Sequence, residues 1–138
     1  MANINPYLNF DGNCEEAFKF YQTIFGGELT GLSRFKDVPG QQTSGDSERI
    51  LHISLPIGNT ILMGSDRNSY MGPGIVGNNM HVSIHPNSKE QAEHLFNGLA
   101  AGGNVTMPLA DTFWNATFGM LTDKFSIHWM VNYEHPQA

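Results

Sequence analysis

Six histidines are the residues of this 138-residue chain best able to do chemistry. His81 and His85 stand four apart in a stretch that reads as a strand, so alternation puts both on one face. His128 precedes Met130 by two in the last predicted strand, and both should face inward. His52 sits on a central strand. A neutral imidazole can bind a divalent ion, and its pKa suits proton transfer near neutrality. One expectation is therefore a rearranged His81/His128 metal pair. The other is that these are hydrogen-bonded pocket or surface histidines. The second is favoured, because no carboxylate accompanies them on the inner face. Glu48, Asp66, Asp111 and Glu134 fall near loops or strand ends. His94 falls on a solvated helix face and His135 in the tail.

Other reactive groups are poorly placed. The single cysteine, Cys14, lies on the apolar side of a helix and reads as a buried core residue. No Ser-His-Asp or Cys-His arrangement stands out, and neither a P-loop nor a G-x-G-x-x-G after a strand is present. Tyr7, Met63, Trp114, Phe118, Met120 and Met130 can instead line an apolar cavity, or serve as plain core. Trp114, Phe118 and Met120 alternate on one face of a predicted strand at 113–121. Trp129 alternates with Ile127 and Val131 and should pack under a helix. Arg34 can reach an anionic ligand, although a solvated arginine is the simpler reading.

Two helices organise these positions. Residues 13–28, NCEEAFKFYQTIFGGE, open on Asn13 as N-cap with Glu16 three residues on, the spacing of a capping box. Cys14, Ala17, Phe18, Tyr21 and Phe25 make one apolar face, and Gly26-Gly27 ends the helix. Residues 88–104 repeat the plan. Ser88 caps, Gln91 completes the box, and Ala92, Leu95, Phe96 and Leu99 form the stripe. Strands are expected at 4–10, 29–35, 49–55 and 60–64, with Gly58-Asn59 as a two-residue hairpin turn. After the second helix's own leading strand at 80–85 come strands at 105–109, 113–121 and 125–133. Residues 36–47 read as a polar surface loop.

Each half is thus β-α-β-β-β, a tandem duplication. The predicted class is α+β, two βαβββ modules forming a curved mixed sheet around a central cup. The first module covers 1–66, the second 78–138, with a linker at 67–77, all in one domain. A sheet with a helix on one face must cover the other with a second sheet or a ligand.

Composition narrows the classes. Apolar residues make up 40% and charged residues 14%, which fits a globular fold. The net charge of −6 comes with scattered cations, so no nucleic-acid footprint is expected. No run is long and apolar enough to span a membrane, and no signal pattern opens the chain, so the expected location is the cytoplasm.

The stretch PYLNFDGNCEEAFKFYQTIFGGE resembles the opening of the PhnB-like branch of the vicinal oxygen chelate superfamily, P-Y-L-x-F-x-G-N followed by E-A, F-Y and F-G-G. FGMLTDKFSIHWMVN resembles that branch's F-G-x-x-x-D-x-F-G-x-x-W. Glyoxalase I, extradiol dioxygenases and the fosfomycin and bleomycin resistance proteins belong to this superfamily. The resemblance implies a glyoxalase-like fold and a cup, without fixing a reaction. The branch is often labelled a ubiquinone methyltransferase, yet no glycine-rich S-adenosylmethionine loop is present.

Metal-dependent members of the superfamily hold a divalent ion with four side chains, from the first and last strand of each half. Carried over singly, these positions fall on His81, on Asn5 or Pro6, near Met63, and on Met130. Histidine fits; a thioether does not suit a hard ion. The resemblance therefore implies a binding protein or enzyme holding a small apolar or aromatic molecule without the usual metal. Its expected ligand-binding residues are Tyr7, His52, Met63, His81, Trp114, Phe118, His128 and Met130. No residue is singled out as catalytic. The alternative is a metal-dependent lyase, isomerase or dioxygenase built on His81 and a non-standard set. A third is a module whose cup serves only as core. Relatives of this size often pair, so a homodimer is expected.

Overall fold

A computed structural model describes residues 2–39 and 45–137. The chain divides into two units, Met1–Ile75 and Val76–Ala138. The first holds strand β1 (Tyr7–Phe10), helix α1 (Cys14–Phe25) and strands β2 (Thr30–Arg34), β3 (Ile50–Ile57) and β4 (Thr60–Asp66). The second holds β5 (Val82–Ile84), α2 (Lys89–Ala100), β6 (Asn104–Asp111), β7 (Ala116–Thr122) and β8 (His128–Glu134). Both are βαβββ. Strand order is β1-β4-β3-β2 in one sheet and β5-β8-β7-β6 in the other, with only the first pair of each parallel. Parallel pairing needs a long crossover, and the helix and two strands between β1 and β4 supply it.

In the first unit, α1 packs on β3 and β4. Cys14, Ala17, Phe18 and Tyr21 are buried, as their spacing requires, with Ile53, Leu55 and Leu62 in the same core. Burying each of the larger side chains stabilises by roughly 2–3 kcal/mol. The last turn differs from expectation: Ile24, not Phe25, completes the buried face. Gly64 lies under the helix. A Cβ there would sit 2.6 Å from the Phe18 ring, so only glycine lets helix and sheet approach this closely.

Asn13 is the N-cap residue of α1, but its side chain caps nothing. Asp66 takes that role. Its Oδ1 accepts the N–H groups of Gly12 (2.8 Å) and Cys14 (3.0 Å), and its Oδ2 accepts that of Ile50. A buried carboxylate at a helix N-terminus also meets the positive end of the helix dipole. The two-residue turn at Gly58-Asn59 is present, with Ile57 paired to Thr60. β1 is shorter than predicted. Pro6 has no N–H to offer a ladder, and the Asn5 side chain, not its backbone, accepts from the Ile61 N–H. Phe35 leaves the predicted strand for a short 3-10 turn, Phe35–Asp37. Part of the predicted 36–47 loop, residues 40–44, lies outside the described residues.

The second unit packs α2 on β6, β7 and β8. Ala92, Leu95, Phe96 and Leu99 are buried as expected. Here the helix does cap itself, since Ser88 Oγ accepts the Gln91 N–H at 3.0 Å. Gln91 answers to the Asn87 N–H rather than that of Ser88. The small residue under the helix is Gly119, whose Cβ would meet the Phe96 ring at 2.7 Å. Two strand starts move. Residues 112–115 turn, with Asn115 in the left-handed region, so β7 begins at Ala116 and excludes Trp114. Residues 123–127 turn as well, with Ser126 left-handed. Asp123 Oδ1 gathers the N–H groups of Phe125 and Ile127, so Ile127 falls outside β8. Trp129 is buried, as predicted, and its indole N–H donates to Asp123 Oδ2.

Candidate functional site

Each sheet has one face under its helix and one face free of it. In the first unit, Tyr7 pairs with Met63 across β1–β4, and Met63 with Ser54 across β3–β4. Directly paired residues share a face. His52 lies two residues from Ser54 and shares that face too. The buried Ile53 and Leu55 take the helix side. So Tyr7, His52 and Met63 stand together, away from α1. Tyr7 Oη lies 3.4 Å from His52 Nδ1, and His52 Nε2 lies 2.9 Å from Ser54 Oγ. His52 is thus a hydrogen-bonded histidine with hydroxyls at both nitrogens.

In the second unit the helix-free face carries a row of thioethers. Met107 is the partner of Met120, and Met120 of Met130. Beside it, Phe118 is opposite Asn132. Trp114 has left the strand, yet its ring still meets Phe118 edge to face at 5.8 Å. It also meets the almost fully exposed Phe113 edge to face at 5.0 Å. Such aromatic pairs add about 0.5–1.5 kcal/mol beyond burial.

His128 belongs to the same face and its tautomer is fixed by its neighbours. Its Nε2 lies 2.7 Å from the Gly77 carbonyl, which can only accept, so Nε2 carries the proton. Its Nδ1, left with the lone pair, accepts from Thr122 Oγ1 at 2.8 Å. Neither nitrogen is left for an ion. His81 lies beside it, with ring centroids 5.6 Å apart. His85 pairs with Ser83 Oγ at 3.3 Å.

The donor set does not fit the four-ligand divalent site. Of the positions considered, His81 alone supplies a suitable atom; Met63 and Met130 are thioethers, and His128 is committed at both nitrogens. Among the described residues no three His, Cys, Asp or Glu side chains come close enough together to hold an ion. Cys14 is fully buried, and burial pushes its thiol well up, with Asp66 and Glu15 adding to the rise. It is not a nucleophile. Arg34 is half-buried and engaged by protein acceptors rather than poised for an anion. It donates to Glu15 Oε2 at 2.9 Å and to the Glu48 carbonyl. That bond holds the Glu15 carboxyl below its usual range, and Glu15 in turn raises Arg34.

A cavity of about 320 Å³ lies elsewhere, between α2 and the β6–β7 edge. Lys89, Glu93, Asp111 and Thr117 help line it, and none of the candidate residues does. Its wall carries an unforeseen chain. Thr117 Oγ1 donates to Asp111 Oδ1 and lies 2.7 Å from His135 Nε2, and His135 Nδ1 lies 3.3 Å from Asn115 Oδ1. The Thr117 bond, with Lys89 and His135 nearby, keeps the Asp111 carboxyl below its ordinary range. His135 is therefore anchored rather than a free tail residue. The lining is charged and part of it serves to dock the C-terminal segment, so the helix-free faces are the better candidate for ligand binding.

Comparison with known proteins places the chain. A sequence model of the family described as 3-demethylubiquinone-9 3-methyltransferase matches residues 2–132. Protein YjdN of Escherichia coli (strain K12) is 33% identical over 144 residues, 94% of this chain and 93% of that one. The crystal structure of protein PA1353 from Pseudomonas aeruginosa has a TM-score of 0.88 at 43% identity, covering 99% of this chain and 100% of that one. The PhnB protein from Bacillus cereus gives 0.77 at 25% identity, covering 96% and 99%. A likeness of fold alone extends to the fosfomycin resistance protein FosX from Listeria monocytogenes, complexed with Mn(II) and sulfate, at 13% identity and a TM-score of 0.66, covering 97% of this chain and 93% of that one.

Proposed function

The chain belongs to the 3-demethylubiquinone-9 3-methyltransferase family, the PhnB-like branch of the vicinal oxygen chelate fold, and we propose that it holds a small apolar or aromatic molecule against its helix-free sheet faces without the usual metal. The observation that carries this reading is the second unit's open face: the thioethers of Met120 and Met130 beside the ring of Phe118, all partly exposed. Thioethers are flexible and polarisable, and they make favourable contacts with ring edges. Tyr7 and Met63 offer the same kind of surface in the first unit. Methyl transfer, which the family's description names, finds little support. The sheets are of βαβββ type, and no glycine-rich loop follows a strand to hold S-adenosylmethionine.

The reading includes a cytoplasmic homodimer. Untagged protein and a His81→Ala variant, assayed by plasma mass spectrometry after soaking in nickel, zinc, manganese and iron(II), test it. Neither should retain stoichiometric metal, naphthalene-type compounds should raise the melting temperature of both, and sedimentation equilibrium should give a dimer. Near-stoichiometric metal in the wild type that disappears with His81 would replace this reading by a metal-dependent enzyme built on His81 and a non-standard ligand set.

A further inference from the structure

A buried polar atom on the open face of the second unit has no partner among the described residues: Asn132 Oδ1. Asn132 stands in the middle of β8, two residues after Met130 and directly opposite Phe118 on β7. It shares their face, away from Trp129 and Val131 on the helix side. An amide oxygen removed from water without a hydrogen bond is costly, and folded proteins almost always satisfy such atoms. Two of the neighbouring polar side chains on this face are engaged. Thr122 and Gly77 take both nitrogens of His128, and Ser83 faces His85. Asn132 Oδ1 is buried with no partner among the described residues, and it lies beside Met130 and opposite Phe118.

Resting on the binding reading above, we propose that Asn132 is a specificity residue: its Oδ1 accepts the O–H or N–H of a bound aromatic alcohol or aromatic amine. The ring of that ligand lies against Phe118, with Met120 and Met130 around it and the Trp114–Phe118 pair closing one side. A single acceptor in an apolar setting discriminates sharply. A ligand without the donor leaves the amide oxygen bare, so the protein loses the hydrogen bond while the burial cost remains. No covalent step is involved.

Two probes of one ring system test this, 2-naphthol, which has a donor, and 2-methoxynaphthalene, which has none. Binding of each to the full chain is measured by titration calorimetry, for wild type and for Asn132→Leu, which keeps the volume and removes the acceptor. Wild type should bind 2-naphthol about tenfold or more tighter. Asn132→Leu should bind both alike, with 2-methoxynaphthalene as tight as before or tighter. Equal affinities in the wild type overturn the proposal, as does preference for the ether, which would mean the amide nitrogen faces inward. A preference that survives in Asn132→Leu overturns it as well. If wild type binds neither probe, the apolar-site reading falls and takes this proposal with it. The wild-type pair decides the matter even if the variant fails to fold.

Discussion

The two units share one topology and solve its problems differently. Each must let a helix lie close on a sheet under a phenylalanine. The first does so with Gly64 on its fourth strand, the second with Gly119 on its third. Each buries an aspartate that accepts three N–H groups. Asp66 reaches across 52 and 54 residues to the start of α1, whereas Asp123 gathers groups no more than six residues away. Each ties the first turn of its helix to the strand that follows, with opposite charges. Glu15 on α1 meets Arg34, and Lys89 on α2 meets Asp111. The open faces diverge most. The first carries Tyr7, His52 and Ser54 around Met63, while the second carries paired methionines, Phe118 and Asn132. A duplicated frame constrains the ladder and the core face; the free face and the helix ends are where the copies have gone separate ways.

The largest effect expected from breaking this contrast is at the aspartates. Asp66→Ala and Asp123→Ala each leave three N–H groups without their acceptor, at a cost of about 3–5 kcal/mol in urea unfolding. They should differ in reach. Hydrogen exchange should speed at Gly12, Cys14 and Ile50 together in Asp66→Ala, but only over 123–129 in Asp123→Ala. Equal spread would mean the two carboxylates do the same job. A middling effect is expected at the helix caps. Ser88→Ala should cost about 1 kcal/mol, because its Oγ satisfies the Gln91 N–H. Asn13→Ala should change the midpoint little, since Asp66 already serves that helix end. A cost at Asn13 as large as at Ser88 would contradict the assigned cap.

The smallest effect is the charge pair. The Glu15 carboxyl is lowered below its ordinary 4.5 by Arg34. A lowered carboxylate contributes stability that is present above the unfolded value and lost as pH falls through the folded one. Both side chains are partly solvated, so the pair is worth about 0.5 kcal/mol. Glu15→Gln should therefore lower stability slightly at pH 7 and not at pH 2.5. Lys89→Gln should lower it less still, because a cation in the first turn opposes the helix dipole. Denaturation midpoints at the two pH values check both; a Lys89 loss exceeding that at Glu15 would invert the comparison.

Much of the fold was legible because periodicity reports burial directly. Ala17, Phe18 and Tyr21 could only share a face as a helix, and Ile53 with Leu55 only as a strand. Helix ends were less legible, for the partner that wins the N–H groups of α1 is remote in sequence. Strand starts slipped where one residue turned the chain. Asn115 sits in T-F-W-N-A, and asparagine's tolerance of the left-handed region was the available sign that Trp114 precedes the strand. On the candidate faces, alternation grouped Phe118 with Met120 and His128 with Met130. It left out Asn132, although the same count of two from Met130 reaches it. What no sequence pattern carried was the state of His128, whose lone pair is taken by Thr122 and whose proton is taken by a backbone carbonyl 51 residues earlier.

The reach of Asp66 also has a meaning in time. A chain is made from its N-terminus at roughly 5–20 residues per second, so roughly 3–10 seconds separate the synthesis of Cys14 from that of Asp66. Through that interval α1 exists without the carboxylate that finishes it, and β1 without the strand it pairs with. The second unit's aspartate, by contrast, is made before Phe125, Ile127 and Trp129, whose N–H groups it accepts. The start of α1 is therefore the helix end that waits longest for its capping carboxylate.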